Sequence, residues 1–153
     1  GPPWLAHKAM HEGVLVVEKI AGVKGVHPMN TANIPGCTYC QPQVASIGLT
    51  ERAAKEKGIE VKIGRFPFRA SGKSLAIGET DGMVKVIFDA KYGGLIGAHI
   101  LGSEATEMIA EAGLGIGLET TQHEILGTIH AHPTLAESFQ EAVAQAYGES
   151  LAI

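Results

Sequence analysis

Residues 83–101 read Met83-Val84-Lys85-Val86-Ile87-Phe88-Asp89-Ala90-Lys91-Tyr92-Gly93-Gly94-Leu95-Ile96-Gly97-Ala98-His99-Ile100-Leu101, and this stretch decides the fold. Val84, Val86 and Phe88 fall on one face of a strand running from Met83 to Asp89, the period expected where one side is buried. Tyr92-Gly93-Gly94 makes a turn, since glycine enters the conformations a tight reversal needs. Leu95 to Leu101 returns, so the stretch is a β-hairpin. Outward from it, Glu60 to Phe68 alternates in part (Val61, Ile63, Phe66) and reads as a strand. Val44-Ala45-Ser46-Ile47-Gly48 is another, short strand. Between these two, Thr50 caps a helix from Glu51 to Lys57 that Gly58 closes. A polar loop, Ala70-Ser71-Gly72-Lys73-Ser74, precedes the hairpin. After it, Ser103 caps a helix to about Gly117, and Thr121 with Glu124 forms a capping box for the next. The last helix runs from about Leu135 to Tyr147, with Phe139, Val143 and Ala146 on one side. Strand, helix, a meander of strands and then helices give an α+β class: an antiparallel sheet with helices packed on one face.

The chain before this body is different. Leu5, Ala9, Val16, Val17 and Ile20 recur at helical spacings, so Trp4 to Ala21 reads as an amphipathic helix stopped by Gly22. Val23 to Gln43 holds Pro28, Pro35, Gly36 and Pro42 and reads as a long irregular connection. The expected organisation is therefore a helical segment at 1–22, a connecting loop at 23–43 and a compact domain at 44–153. Because the chain opens almost directly inside a helix pattern, it is expected to be a fragment of a longer protein.

Composition narrows the function. At 153 residues, 45% hydrophobic and 18% charged, the chain is long enough for one domain with a core. Its 20 glycines, against a usual share of about 7%, favour tight turns and close backbone approaches. A net charge of −4 argues against nucleic acid or an anionic membrane as a partner. There is no membrane-spanning run and no signal peptide at Gly1-Pro2-Pro3-Trp4, so a cytoplasmic setting is expected, or a mitochondrial matrix one if the source is eukaryotic.

The densest chemistry lies at Ile129-His130-Ala131-His132-Pro133-Thr134-Leu135-Ala136-Glu137. Proline disfavours helical backbone for the residue before it, so His132 is presented on extended or turn backbone just ahead of a helix. Histidine titrates near neutrality and suits proton transfer. A carboxylate at Glu137 that accepts from one ring nitrogen would fix the tautomer and raise the basicity of the other. The same residues also fit a capping box, with Thr134 as N-cap and Glu137 returning to the backbone. The two readings differ in where the Glu137 carboxylate points. Cys37-Thr38-Tyr39-Cys40 is a C-x-x-C without the βαβ setting of a redox motif. Zinc held by Cys37, Cys40, His130 and His132 is a rival, weakened by unusual spacing; two reduced thiols in a loop is the plainer reading. No metal site is expected. Gly113-Leu114-Gly115-Ile116-Gly117 lies at a helix end and is a weak phosphate-loop candidate. His7, His11, His27, His99 and His123 are scattered, and Arg65, Arg69 and Lys73 are too sparse for a nucleic-acid stripe.

At His130-Ala131-His132-Pro133-Thr134-Leu135-Ala136-Glu137 the sequence resembles the C-terminal region of the dihydrolipoamide dehydrogenases, in the pyridine nucleotide–disulfide oxidoreductase family. Pro42-Gln43-Val44-Ala45-Ser46-Ile47-Gly48-Leu49-Thr50-Glu51 looks like the opening of that family's interface domain. Gly78-Glu79-Thr80-Asp81-Gly82-Met83-Val84-Lys85 and Gly97-Ala98-His99-Ile100-Leu101-Gly102 look like its central hairpin. Leu5-Ala6-His7-Lys8-Ala9 with Glu12-Gly13 looks like the helix that ends its FAD domain. The resemblance implies that 44–153 is an interface domain, that 1–22 is the terminal helix of the FAD domain, and that the whole protein is a homodimer using FAD and NAD. It implies oxidation of dihydrolipoyl-lysine through a redox disulfide, with lipoyl domains of 2-oxoacid dehydrogenase complexes as partners. By the same resemblance His132 is the acid/base that reaches the partner's active site, Glu137 orients it, and the His132–Pro133 peptide is cis. Trp4, Leu5, Ala6 and His7 match positions that touch FAD, largely through backbone, although Trp4 replaces the commoner methionine. The FAD fold, NAD domain and redox disulfide are absent from these residues, and Cys37 and Cys40 do not align with that disulfide. The chain alone is therefore expected to be inactive and to hold no cofactor tightly. Glutathione reductases differ after His-Pro-Thr, and mercuric reductases end in paired cysteines that Ser150-Leu151-Ala152-Ile153 lacks; both departures favour the lipoamide branch.

Overall fold

The computed structural model describes residues 1–152. Its elements, in chain order, are helix α1 (Ala6–Ile20), strands β1 (Gly36–Thr38) and β2 (Gln43–Gly48), helix α2 (Glu51–Glu56), strand β3 (Val61–Pro67), helix α3 (Gly72–Ile77), strands β4 (Met83–Asp89) and β5 (Leu95–Gly102), and helices α4 (Ala105–Gly117), α5 (Gln122–Gly127) and α6 (Glu137–Ala146). The strands form one five-stranded antiparallel sheet in the order β1-β2-β5-β4-β3. The hairpin expected at 83–101 is its centre. Asp89 closes the turn by accepting, on Oδ1, the amides of Lys91 and Tyr92 at 2.7 and 2.9 Å.

The alternation that marks β4 also assigns its faces. Val84, Val86 and Phe88 are fully buried and join Phe66 of β3, Ala98 and Ile100 of β5 and Ala45 and Ile47 of β2 in one cluster. Helices α4 and α6 close that cluster with Ala105, Ile109 and Ala112 and with Phe139, Ala142 and Val143. Small residues let the helices sit close: a methyl on Gly64 of β3 would run into the carbonyl of Ala142. The opposite face is polar along one cross-strand row, Ser46–His99–Lys85–Arg65. Glu51, at the start of α2, binds Lys85 at 2.6 Å and Arg65 at 3.1 Å across this row. The α+β class and the helix-covered face are as expected, with the small helix α2 added over part of the second face.

Several local expectations are corrected. The supposed loop at 23–43 carries a 3-10 turn at Thr31–Asn33 and the edge strand β1, paired from Gly36↔Ser46 to Thr38↔Val44. The polar run at 70–74 is the start of α3, with Ser71 as N-cap accepting from the Ser74 amide. Ser103 does not cap α4. The residue before that helix is Glu104, in a left-handed conformation without a side-chain cap. Gln43 supplies the acceptor instead, from the neighbouring strand, to the Thr106 amide at 3.0 Å and hydroxyl at 2.8 Å. The caps expected at Thr50 and at Thr121 with Glu124 are present.

Helix α1 stands apart from the core. Met10, Val14, Val17 and Ile20 are all more than half exposed. Its recorded side-chain tie to the body is His7 Nε2 to the Pro35 carbonyl, 2.9 Å.

Candidate functional site

Residues 128–136 join α5 to α6. Ile129 is 96% exposed, and the His132 side chain is 78% exposed. His130, between them, turns inward and is 5% exposed. The His132–Pro133 peptide is cis. Three bonds hold the second half of the loop. Thr134 donates its hydroxyl to the Ala131 carbonyl at 2.6 Å, Glu137 Oε2 accepts the Thr134 amide at 2.8 Å, and Glu137 Oε1 meets His132 Nδ1 at 2.9 Å.

The capping and dyad readings of Glu137 thus share one carboxylate. One oxygen makes the backbone bond of a capping box and the other faces the imidazole. The box is half formed, because the Thr134 hydroxyl turns to Ala131 and Ala136 occupies the N-cap position of α6. Burial pushes the Glu137 carboxyl up. The Thr134 amide, the His132 bond and the charges of His132 and His130 pull it down and prevail, leaving it below its ordinary value. A carboxylate that stays ionised accepts from Nδ1–H, which leaves Nε2 as the ring's basic nitrogen. Nε2 of His132 has no protein partner among the described residues.

The other sequence candidates separate. Cys37 and Cys40 are free thiols. Cys40 donates to the Pro42 carbonyl at 2.9 Å, while burial first and then Glu107 push the Cys37 thiol up, away from a reactive thiolate. Among the described residues no group of three or more His, Cys, Asp or Glu is arranged to hold a metal, so the zinc set Cys37, Cys40, His130 and His132 is not assembled. The glycines at 113–117 lie within the last turns of α4, where a Cβ on Gly113 would press on Ile47 and one on Gly115 would touch Leu95. They serve helix–sheet packing, not a phosphate. Trp4 is exposed, Leu5 is the N-cap residue of α1 with no side-chain cap, and Ala6 and His7 begin that helix.

Two features escaped sequence reading. Glu111 of α4 binds His130 Nε2 at 2.7 Å. Beside this pair, Leu114, Leu118 and Ile129, each at least 66% exposed, line a groove of about 750 Å³ that reaches His130 and Ala131. The signal was present in the uncovered apolar positions of α4, but periodicity alone does not tell a core stripe from a contact stripe.

Residues 34–143 match the family model described as the pyridine nucleotide-disulphide oxidoreductase, dimerisation domain. The chain belongs to this family. The dimerisation domain has curated relatives along nearly its whole length here. It is 58% identical over 151 residues to dihydrolipoyl dehydrogenase of Rhizobium etli, covering 99% of this chain and 31% of that protein. It is also 58% identical to the Zymomonas mobilis dihydrolipoyl dehydrogenase, covering 99% of this chain and 32% of that protein. The chain thus spans about a third of the length of these relatives. The fold matches the flavoprotein disulfide reductase RclA of Escherichia coli with a TM-score of 0.87 at 22% identity, over 94% of this chain and 33% of that one.

Proposed function

We propose that this dimerisation domain is the C-terminal interface domain of a cytoplasmic dihydrolipoyl dehydrogenase, and that it contributes His132 as the proton-transfer group of the partner's active site. The observation that carries this reading is the His132–Glu137 pair: an exposed imidazole held through Nδ1 at 2.9 Å by a carboxylate that is itself fixed to the Thr134 amide. The solvent-facing Nε2 then takes the proton from a dihydrolipoyl thiol. The thiolate formed attacks the enzyme's redox disulfide, which lies outside these residues, and one disulfide sulfur leaves as a thiolate. The imidazolium is stabilised by Glu137 until the proton is passed on.

The dimer reading is supported by the uncovered apolar face of Leu114, Leu118 and Ile129 next to the His132 loop. Such a face, exposed in one chain, suits burial against a second copy. The groups at the start of α1 fit FAD as backbone donors. Helix geometry leaves the first-turn amides of Ala6 and His7 without intrahelical acceptors, and no side chain caps them. The His7 ring is occupied by the Pro35 carbonyl, so its part is also through backbone. Those amides would hold part of FAD, which would supply the redox chemistry between the reduced disulfide and NAD. The parts that enclose it are not among these residues, so the chain alone is inactive and holds it weakly. Lipoyl domains of 2-oxoacid dehydrogenase complexes are the proposed protein substrates.

The test is His132→Gln in the full-length enzyme. Loss of the acid/base should lower dihydrolipoamide oxidation by about 10²–10⁴-fold, with flavin content and dimer mass unchanged. Glu137→Gln should fall between that variant and wild type. Near-wild-type turnover of His132→Gln would sink the assignment.

A further inference from the structure

His130 takes no part in the proton transfer proposed for its neighbour, yet its side chain is buried while Ile129 and His132 on either side are exposed. Its ring is 5% exposed. Both ring nitrogens face oxygen: Nε2 meets Glu111 Oε1 at 2.7 Å, and Nδ1 meets the Thr128 carbonyl at 3.1 Å. The ring is therefore held in place, a neutral imidazole giving its one N–H to one of the two oxygens and an imidazolium serving both. Around it, the loop is tied to α5 by the Thr128 hydroxyl on the Glu124 carbonyl, 2.7 Å, and to α6 through Glu137. Glu111 is the loop's one hydrogen-bonded tie to α4 among the described residues. Helix α4 is in turn seated on the sheet through Ile109 and Ala112, the latter fully buried and next to Glu111 in sequence.

We infer that the His130–Glu111 pair, a buried imidazole on a partly exposed carboxylate, is a positioning device that pins residues 128–132 to α4 and so keeps His132 in register with Glu137. The chain of causes is short. His132 sits two residues from the peg, and Ala131 between them accepts the Thr134 hydroxyl. Releasing His130 frees the segment that sets the height of the His132 ring over α6. The Glu137 carboxylate stays behind, held by Thr134. Separation of the two by even about 1 Å is enough to break a 2.9 Å bond and can cost on the order of 10²-fold in rate. The consequence for turnover rests on the acid/base reading of His132; the claim about the loop does not.

The experiment is nitrogen-15 NMR on the 153-residue chain carrying Glu111→Ala, Glu111→Gln or His130→Phe. Glu111 is partly exposed, so its substitutions spare the core, and Gln keeps the oxygen acceptor. His130→Phe fills the buried site without the bonds. Wild type and Glu111→Gln should show an Nδ1–H proton on His132 and rigid amides at 129–132. Glu111→Ala and His130→Phe should lose that Nδ1–H signal, and the order parameters of 129–132 should fall from about 0.85 to below about 0.6. Amides of Val84–Phe88 should not move. The idea is overturned if Glu111→Ala keeps the wild-type His132 signal and loop order, or if its changes extend equally into the sheet, which marks a general packing role. In the full-length enzyme Glu111→Ala should lower kcat by up to about 10²-fold with KM unchanged and be rescued by Glu111→Gln. Unaltered turnover in His132→Gln would remove the acid/base reading while leaving the NMR result to stand or fall alone.

Discussion

His99 shows how one side chain carries both a fold constraint and a pH dependence. It lies in the polar cross-strand row between Ser46 and Lys85 and meets the Leu49 carbonyl at 3.1 Å. Burial holds its imidazole below the ordinary 6.5, the Leu49 bond opposes this, and the charge of Lys85 adds to the lowering. The unfolded chain therefore binds a proton at His99 before the folded chain does, so stability falls as pH drops below about 6.5. Glu51 carries the opposite charge on the same face; its bond to Lys85 holds it below 4.5, so its contribution is present above that pH and lost as pH falls further. Urea unfolding of His99→Gln should lose less stability than wild type between pH 7.5 and 5.5; parallel curves would contradict this assignment. At this scale the sequence was partly legible. The His132 and Glu137 types and spacing point to a dyad or a cap, and in the structure one Glu137 oxygen meets His132 Nδ1 while the other accepts the Thr134 amide. The His130–Glu111 contact was not legible, because its partners lie 19 residues apart on different elements.

Among elements, α4 is the clearest case of a helix whose start is built elsewhere. No residue at its own N-terminus caps it, and Glu104 sits at a positive φ of 57°. Gln43, on β2, fills the gap by accepting both the amide and the hydroxyl of Thr106. Gln43→Ala should cost about 1 kcal/mol, as loss of a side-chain cap does, read as a lower urea midpoint at unchanged slope. A wild-type midpoint would mean that Glu104 geometry alone suffices. The hairpin, β3 and α2 could be read from alternation and capping residues. The strand β1 could not, because Gly36–Thr38 is only three residues long and has no alternation to detect. Its strand character comes from pairing with β2. Helix α3 was hidden by its composition: Ser71-Gly72-Lys73-Ser74 reads as a loop until Ser71 is seen to cap the turn.

For the whole molecule, the separation of its faces organises the account. One sheet face is sealed by α4 and α6 around Phe66, Phe88 and Phe139. The outer side of α4 leaves Leu114 and Leu118 uncovered, with Ile129 beside them on the His132 loop. They are the surface proposed above for contact with a second copy, beside the proposed acid/base. The class of fold was legible from the order of elements, and the α1 pattern foretold an amphipathic helix whose apolar face finds no cover here. Which outward residues of α4 form a contact was not legible, since that depends on how the sheet consumes its inner side. The outer side of α4 is thus the proposed dimer surface of this chain. Light scattering over a concentration series tests it most directly. The account predicts a mass of twice 16.0 kDa for wild type and a single chain for Leu114→Asp with Leu118→Asp. A wild-type chain that stays at 16.0 kDa at every concentration, or a double variant that remains a dimer, would contradict it.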